Sequence, residues 1–301
     1  MFVAAGLMLL ATAVEAFPPD PGVIADGPKD CLQWEPHAAR PSSRFDHAMA
    51  YDSARRVTVL FGGFDDDLRR LGDTWELDGT TWTQRLVPGP ASRSNHAMTY
   101  DAARGVTVLF GGYGGGRLGD TWEWDGNTWT QRAVPGPSSR SGHAMAYDSQ
   151  RGVTVLFGGY GQTNPGETWE WDGTRWELRA ETGPSARYDL AMAYDTRRGV
   201  TILFGGFGST GRLGDTWEWE GARWTLRMET GPPARYDLAM AYDTARGVSV
   251  LFGGYGSTGR LGDTWEWDGT RWTLRSETRP DALYLHAMAY NAARGVTVLF
   301  G

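Results

Sequence analysis

Gly114, Gly116 and Gly119 stand in the order G-x-G-x-x-G directly after the apolar run VTVLFGG. Behind a strand and before a helix, that spacing brings backbone N–H groups up to a pyrophosphate. Here the continuation is DTWEWD (120–125), which alternates apolar and polar residues with a period of two and reads as strand. No helix follows the glycines to complete a nucleotide site, so no cofactor is expected. His47, His96, His143 and His286 recur in one sequence context. A metal would need their nitrogens at about 2.0–2.1 Å from a common point. Equivalent positions of a repeat spread apart instead, and Leu190 and Leu238 take the same place in two copies. The histidines therefore read as structural, hydrogen-bonding between repeats. Asp65, Asp66 and Asp67 are weak candidates for calcium, because consecutive carboxylates point in different directions and no distal Glu completes a loop. The Asp-Gly pair of DGTTW (78–82) is a turn signal. No serine or cysteine has the surroundings of a nucleophile, and Cys31, the single cysteine, forms no intrachain disulfide. No catalytic residue is assigned.

These residues recur because the chain does. Gly-Gly pairs begin at Gly62, Gly111, Gly158, Gly205 and Gly253, at intervals of 47 to 49 residues. A period of that length marks stacked supersecondary units. In the second copy, HAMTYD (96–101) alternates, ARG turns the chain, and VTVLF (106–110) has the β-branched and aromatic content of a buried strand. DTWEWD and WTQR, joined by an Asp-Gly turn, give two further strands. One four-stranded sheet cannot cover both its faces, so the units must pack on one another. Ala48 and Ala50 are small enough for strands crowded near an axis, while the recurrent tryptophans fill the wider outer gaps. The result is an all-β propeller.

The unit resembles the kelch repeat. The residues that carry the resemblance are RSNHAM (93–98), VLFGGY with its diglycine, LGDTWEWDG (118–126) and Trp129. The resemblance implies a propeller of six or seven blades. Five copies are complete and a sixth stops at Gly301, so six blades are expected, the last incomplete in this chain. CLQWEPHAARPSSR (31–44) aligns with the fourth-strand segment of a unit, which puts Trp34 in the closing blade. Strand three of that blade is expected from residues beyond Gly301, in a longer chain. The arginines that open the copies (Arg44, Arg93, Arg140, Arg187, Arg235) and the strand-three glutamates (Glu76, Glu123, Glu170, Glu218, Glu266) are expected to pair between blades, since a recurrent buried charge needs a partner.

The net charge of −7 argues against a nucleic-acid partner. Residues 2–14 form an apolar run followed by small residues, the pattern of an export signal over 1–16 and too short for a membrane span. A Pro/Gly-rich linker (17–30) and the propeller (31–301) follow. The mature chain is thus expected outside the cytoplasm: extracellular, periplasmic or on the cell surface, with no span. One rim of the propeller collects Phe64, Tyr113, Tyr160, Phe207 and Tyr255 after the diglycines, Tyr188 and Tyr236 at the starts of copies, and Arg70, Arg117, Arg212 and Arg260. Aromatic and arginine side chains together favour binding of a protein or a glycan. The expected function is a non-catalytic interaction module. The alternative is an exported sugar-modifying propeller enzyme, epimerase- or oxidase-like, although the cysteine that a galactose-oxidase-type cross-link needs is missing from the repeats.

Overall fold

The computed structural model describes residues 7–11, 40–161, 166–277 and 280–301. Cys31, Trp34, the linker and most of the expected export signal lie outside the described residues. Five blades have the same four antiparallel strands in sequence order from the axis outward. In the second blade these are Ala97–Asp101, Val106–Phe110, Thr121–Trp124 and Trp129–Arg132. The first blade runs from Ala48 to Arg85, the third from Ala144 to Ala180, the fourth from Ala191 to Met228 and the fifth from Ala239 to Ser276. The sixth contributes Ala287–Asn291 and Val296–Phe300, with Leu7–Ala11 paired antiparallel outside Val296–Phe300. The place expected to be filled from beyond Gly301 is therefore taken by a strand from the other end. Leu7 stands opposite Phe300, in the register that holds Thr74 opposite Phe61 and Thr121 opposite Phe110.

Alternation explains how blades join. Ala48 and Ala50 of the first blade face Met98, Tyr100 and Leu109 of the second. Met49 and Leu60, on the opposite face, meet Ala289, Val298 and Phe300 of the sixth, so the ring closes. The outer gap is filled by indoles: Trp124 is 1 % exposed and Trp129 7 %. Burying such a side chain contributes about 1.5–3 kcal/mol or more, and these two indoles also find acceptors across the gap. Trp124 Nε1 donates to Glu76 at 2.9 Å and Trp129 Nε1 to Thr74 at 2.9 Å. The diglycines end strand two because nothing larger fits. Gly62 has φ +66°, and a Cβ there would lie 2.6 Å from the Arg93 carbonyl oxygen of the next blade.

A hoop of main-chain hydrogen bonds binds the hub. Asn95 N–H donates to the Asp46 carbonyl, Gly142 to Asn95, Asp189 to Gly142, Asp237 to Asp189, Leu285 to Asp237, and Asp46 to Leu285, at 2.7–3.1 Å. All six residues have φ between +52° and +65°. Aspartate, asparagine and glycine accept that left-handed backbone at least cost, and they fill five of the six places.

Candidate functional site: an aromatic and arginine rim

The loops after strand two and the segments before strand one meet on one rim. Short pairings hold them together: Phe45 with Phe64, Ser94 with Tyr113, Tyr188 with Phe207 and Tyr236 with Tyr255. This backbone brings the side chains into a chain of ring contacts, running Tyr160, Tyr188, Phe207, Tyr236, Tyr255, Tyr284 with centroids 5.4–5.7 Å apart. The arginines bridge blade boundaries by lying over these rings. Arg70 sits 5.1 Å from Phe64 and 4.8 Å from Tyr113, Arg117 4.2 Å from Tyr160, Arg212 5.7 Å from both Tyr236 and Tyr255, and Arg260 4.8 Å from Tyr284. All eleven rim residues named from the sequence therefore fall in one belt. None of the four arginines has a carboxylate partner among the described residues.

Elsewhere the arginines are spoken for. Arg44, 2 % exposed, grips Asp73 with Nη1 and Nη2 at 2.7 and 2.9 Å and donates to the Gly62 carbonyl. Arg93 holds Asp120, Arg187 Asp215 and Arg235 Asp263 in the same way, and Arg140 holds Glu167 through Nη2 alone. The expected pairing of these arginines with the strand-three glutamates is thus corrected: the partner lies in the same blade, just before strand three. Burial alone would raise the Asp73 pKa, but the Arg44 guanidinium and the Trp75 N–H more than offset it and hold it below the usual carboxylate range. Glu76 instead binds Arg55 at 2.5 Å and Arg85 at 2.6 Å within its blade. What crosses the blade boundary to Glu76 is the Trp124 indole, a neutral donor that no charge-pairing rule would select.

Residues 29–177 match the family model of the KLHDC2/KLHL20/DRC7 Kelch-repeats domain. That stretch covers the first two blades and the third as far as Glu177, and the remaining blades repeat their strands and contacts. The chain folds as a kelch β-propeller. No curated protein matches it.

In this kelch propeller the histidines sit between blades, His47, His96, His143 and His286 each facing the strand-two carbonyl of the neighbouring blade, at Phe300, Phe61, Phe110 and Phe252. His96 lies edge-on to Phe61 at 5.6 Å and His47 to Phe300 at 5.4 Å. Neither imidazole nitrogen of His47, His96, His143 or His286 has a bond of good geometry. Burial, reinforced by Arg93 and His143, lowers the His96 pKa to about 3, so the ring is neutral. The strand-two carbonyl of Phe61 pulls the other way without offsetting it. The acidic loop spends its carboxylates locally: Asp65 Oδ1 accepts the N–H groups of Asp67 and Arg69, Asp66 accepts from Ser43, and Asp67 pairs with Arg69. Gly114, Gly115 and Gly116 lie exposed in a turn before the Thr121–Trp124 strand, with no helix behind them.

Three groups of the site escape the sequence reading. Phe45 and Tyr284 join the rim, although RFD and LYL disguise the RYD pattern of Tyr188 and Tyr236. Asp46, Asp189 and Asp237 line a cavity of about 120 Å³ at the mouth of the channel. The signal for them is the last residue of each of those triplets, whose Asp, Asn and Gly content marks a left-handed backbone.

Proposed function

We propose that this kelch propeller is a non-catalytic binding module, active outside the cytoplasm, that takes a protein or a glycan on its aromatic and arginine rim. Kelch repeats support protein partners. The observation that carries the reading is the contrast among arginines. Those inside the blades are paired with carboxylates, while Arg70, Arg117, Arg212 and Arg260 spend their guanidinium faces on rings and leave N–H groups for a ligand. Ring and guanidinium together give large contact area at low entropy cost, as binding hot spots do. The reading of a glycan ligand rests on the same rings, which offer flat faces to sugars. Capture of secreted proteins and binding to a glycan array, each with the native chain and with Arg117→Ala/Arg212→Ala, tests it. Loss of a captured ligand in the double variant is expected; the same ligands at the same strength would overturn it.

A further inference from the structure

The sixth blade is completed differently from the others. Its third-strand place is held by Leu7–Ala11, which pairs with Val296–Phe300. In the other five blades that place begins with a threonine: Thr74, Thr121, Thr168, Thr216 and Thr264. Four of these accept an indole N–H from the start of the next blade's fourth strand. Trp129 Nε1 donates to Thr74 at 2.9 Å, Trp176 to Thr121 at 2.9 Å, Trp224 to Thr168 at 2.7 Å and Trp272 to Thr216 at 2.8 Å. Trp82 is the fifth member of this set, and the blade before it in the ring is the sixth. Its ring meets Phe300 at 5.7 Å and 61°, the pose in which Trp129 meets Phe61 at 5.3 Å and 63°. Trp82 is 3 % exposed, and its Nε1 has no acceptor among the described residues. The residue opposite Phe300 is Leu7, which has no hydroxyl. A buried N–H without an acceptor is costly, and such groups are rare.

The wall on the fifth blade repeats the mismatch. Glu76, Glu123 and Glu170 each accept an indole N–H from the fourth residue of the next blade's third strand: Trp124, Trp171 and Trp219, at 2.9–3.0 Å. Glu266 of the fifth blade has Arg246 and Arg275 but, among the described residues, no indole. The matching residue in the sixth blade is Leu10, opposite Thr297. The place therefore suits a strand with an acceptor at its first residue and an indole at its fourth, Thr-x-x-Trp. The four stretches of that form in this chain, Thr121–Trp124, Thr168–Trp171, Thr216–Trp219 and Thr264–Trp267, already serve as third strands. Residues 12–39 hold one threonine, Thr12, with Glu15 three residues on. A sheet edge takes an added strand through main-chain hydrogen bonds, and pockets for its side chains select which strand. Leu7–Ala11 answers the main chain and leaves both selective groups unanswered. We infer that the third-strand place of the sixth blade docks an extended Thr-x-x-Trp segment of a partner protein. The segment displaces Leu7–Ala11, sets its threonine opposite Phe300 to accept from Trp82, and turns its indole towards Glu266. The dock does not depend on the ligand of the rim.

The probe is a fluorescein-labelled peptide of residues 118–126, LGDTWEWDG, with a control peptide carrying Thr121→Val and Trp124→Leu. Titration with the full chain, followed by anisotropy, should show saturable binding of the probe and binding at least tenfold weaker for the control. Trp82→Phe deletes an N–H that the free chain leaves unused, and should weaken the probe at least fivefold while circular dichroism shows a folded chain. Leu9→Pro breaks the resident strand where it pairs with Val298, and should strengthen the probe at least threefold. Hydrogen exchange should report Leu7–Ala11 released and Val296–Phe300 still protected once the probe is bound. No saturable binding by the native and Leu9→Pro chains, equal binding of the control, or unchanged binding by Trp82→Phe overturns the dock. So does a mass that doubles with concentration in light scattering, which gives the place to a second copy. Arg117→Ala/Arg212→Ala should bind the probe unchanged, so failure of the rim and failure of the dock are read separately.

Discussion

The two ends of the propeller use the same residue in opposite ways. At the end remote from the rim, the strand-one hairpins of the five four-stranded blades each place an arginine between two carboxylates, as with Arg55 between Asp52 and Glu76, Arg104 between Asp101 and Glu123 and Arg198 between Asp195 and Glu218. At the rim, Arg70, Arg117, Arg212 and Arg260 meet rings and, among the described residues, no carboxylate. Both sets recur with the repeat, so recurrence does not separate architecture from function. Carboxylate pairing does. An arginine held by carboxylates of its own blade holds the fold, and one that meets rings alone holds something else.

Substitutions at the two ends should break this contrast or make it sharper. The largest effect is expected at Glu123, whose removal leaves Arg132 and the Trp171 indole without their acceptor and Arg104 with one of its two carboxylates. Glu123→Ala should cost about 3–5 kcal/mol in chemical denaturation; a loss below 1 kcal/mol would mean that the remote end is no more structural than the rim. Next comes the inter-blade indole bond. Thr121→Val orphans the Trp176 N–H and should cost about 1–3 kcal/mol by the same measurement. Acid and base should act at different places. Asp73, Asp120, Asp215 and Asp263 have pKa values held below their unfolded value by arginine, so the stability they contribute is present above about pH 4 and is lost as pH falls through the folded values. Asp46 is the reverse. Burial, then the nearby Asp189, raises it to about 7 despite the Asn95 bond, so its contribution is full below about pH 4 and fades as pH climbs towards 7. Asp46→Asn should therefore raise the melting temperature at pH 8 by about 2–4 °C and change little at pH 4. The smallest effect on stability belongs to Arg117→Ala, which should stay within about 1 kcal/mol of native while ligand capture is lost.

The repeat makes the architecture legible from the residues alone. Strand order, the diglycines and the tryptophan-filled gaps all follow from a period of 47 to 49 residues and its internal alternation. Pair identities are less legible. Recurrence and charge together join Arg44 to Glu76, yet Asp73, three residues upstream of Glu76, lies in reach of Arg44 where strand three begins. Which of two nearby carboxylates an arginine finds is decided by strand geometry, not by recurrence. The rim is legible as a set of residues but not as a stacked belt, since ring-to-guanidinium contacts depend on loops crossing from one blade to the next. The hub aspartates are invisible because their residue type is explained by backbone conformation, and their convergence appears only when six blades close.

The hoop at the hub is built wholly from main-chain N–H and carbonyl groups, and a leucine serves in it beside aspartates, an asparagine and a glycine. Closure of the ring thus places no demand on side-chain identity at those six places, apart from tolerance of a left-handed turn. The side chains at the channel mouth can be exchanged one blade at a time without loosening the seam that keeps the disc shut.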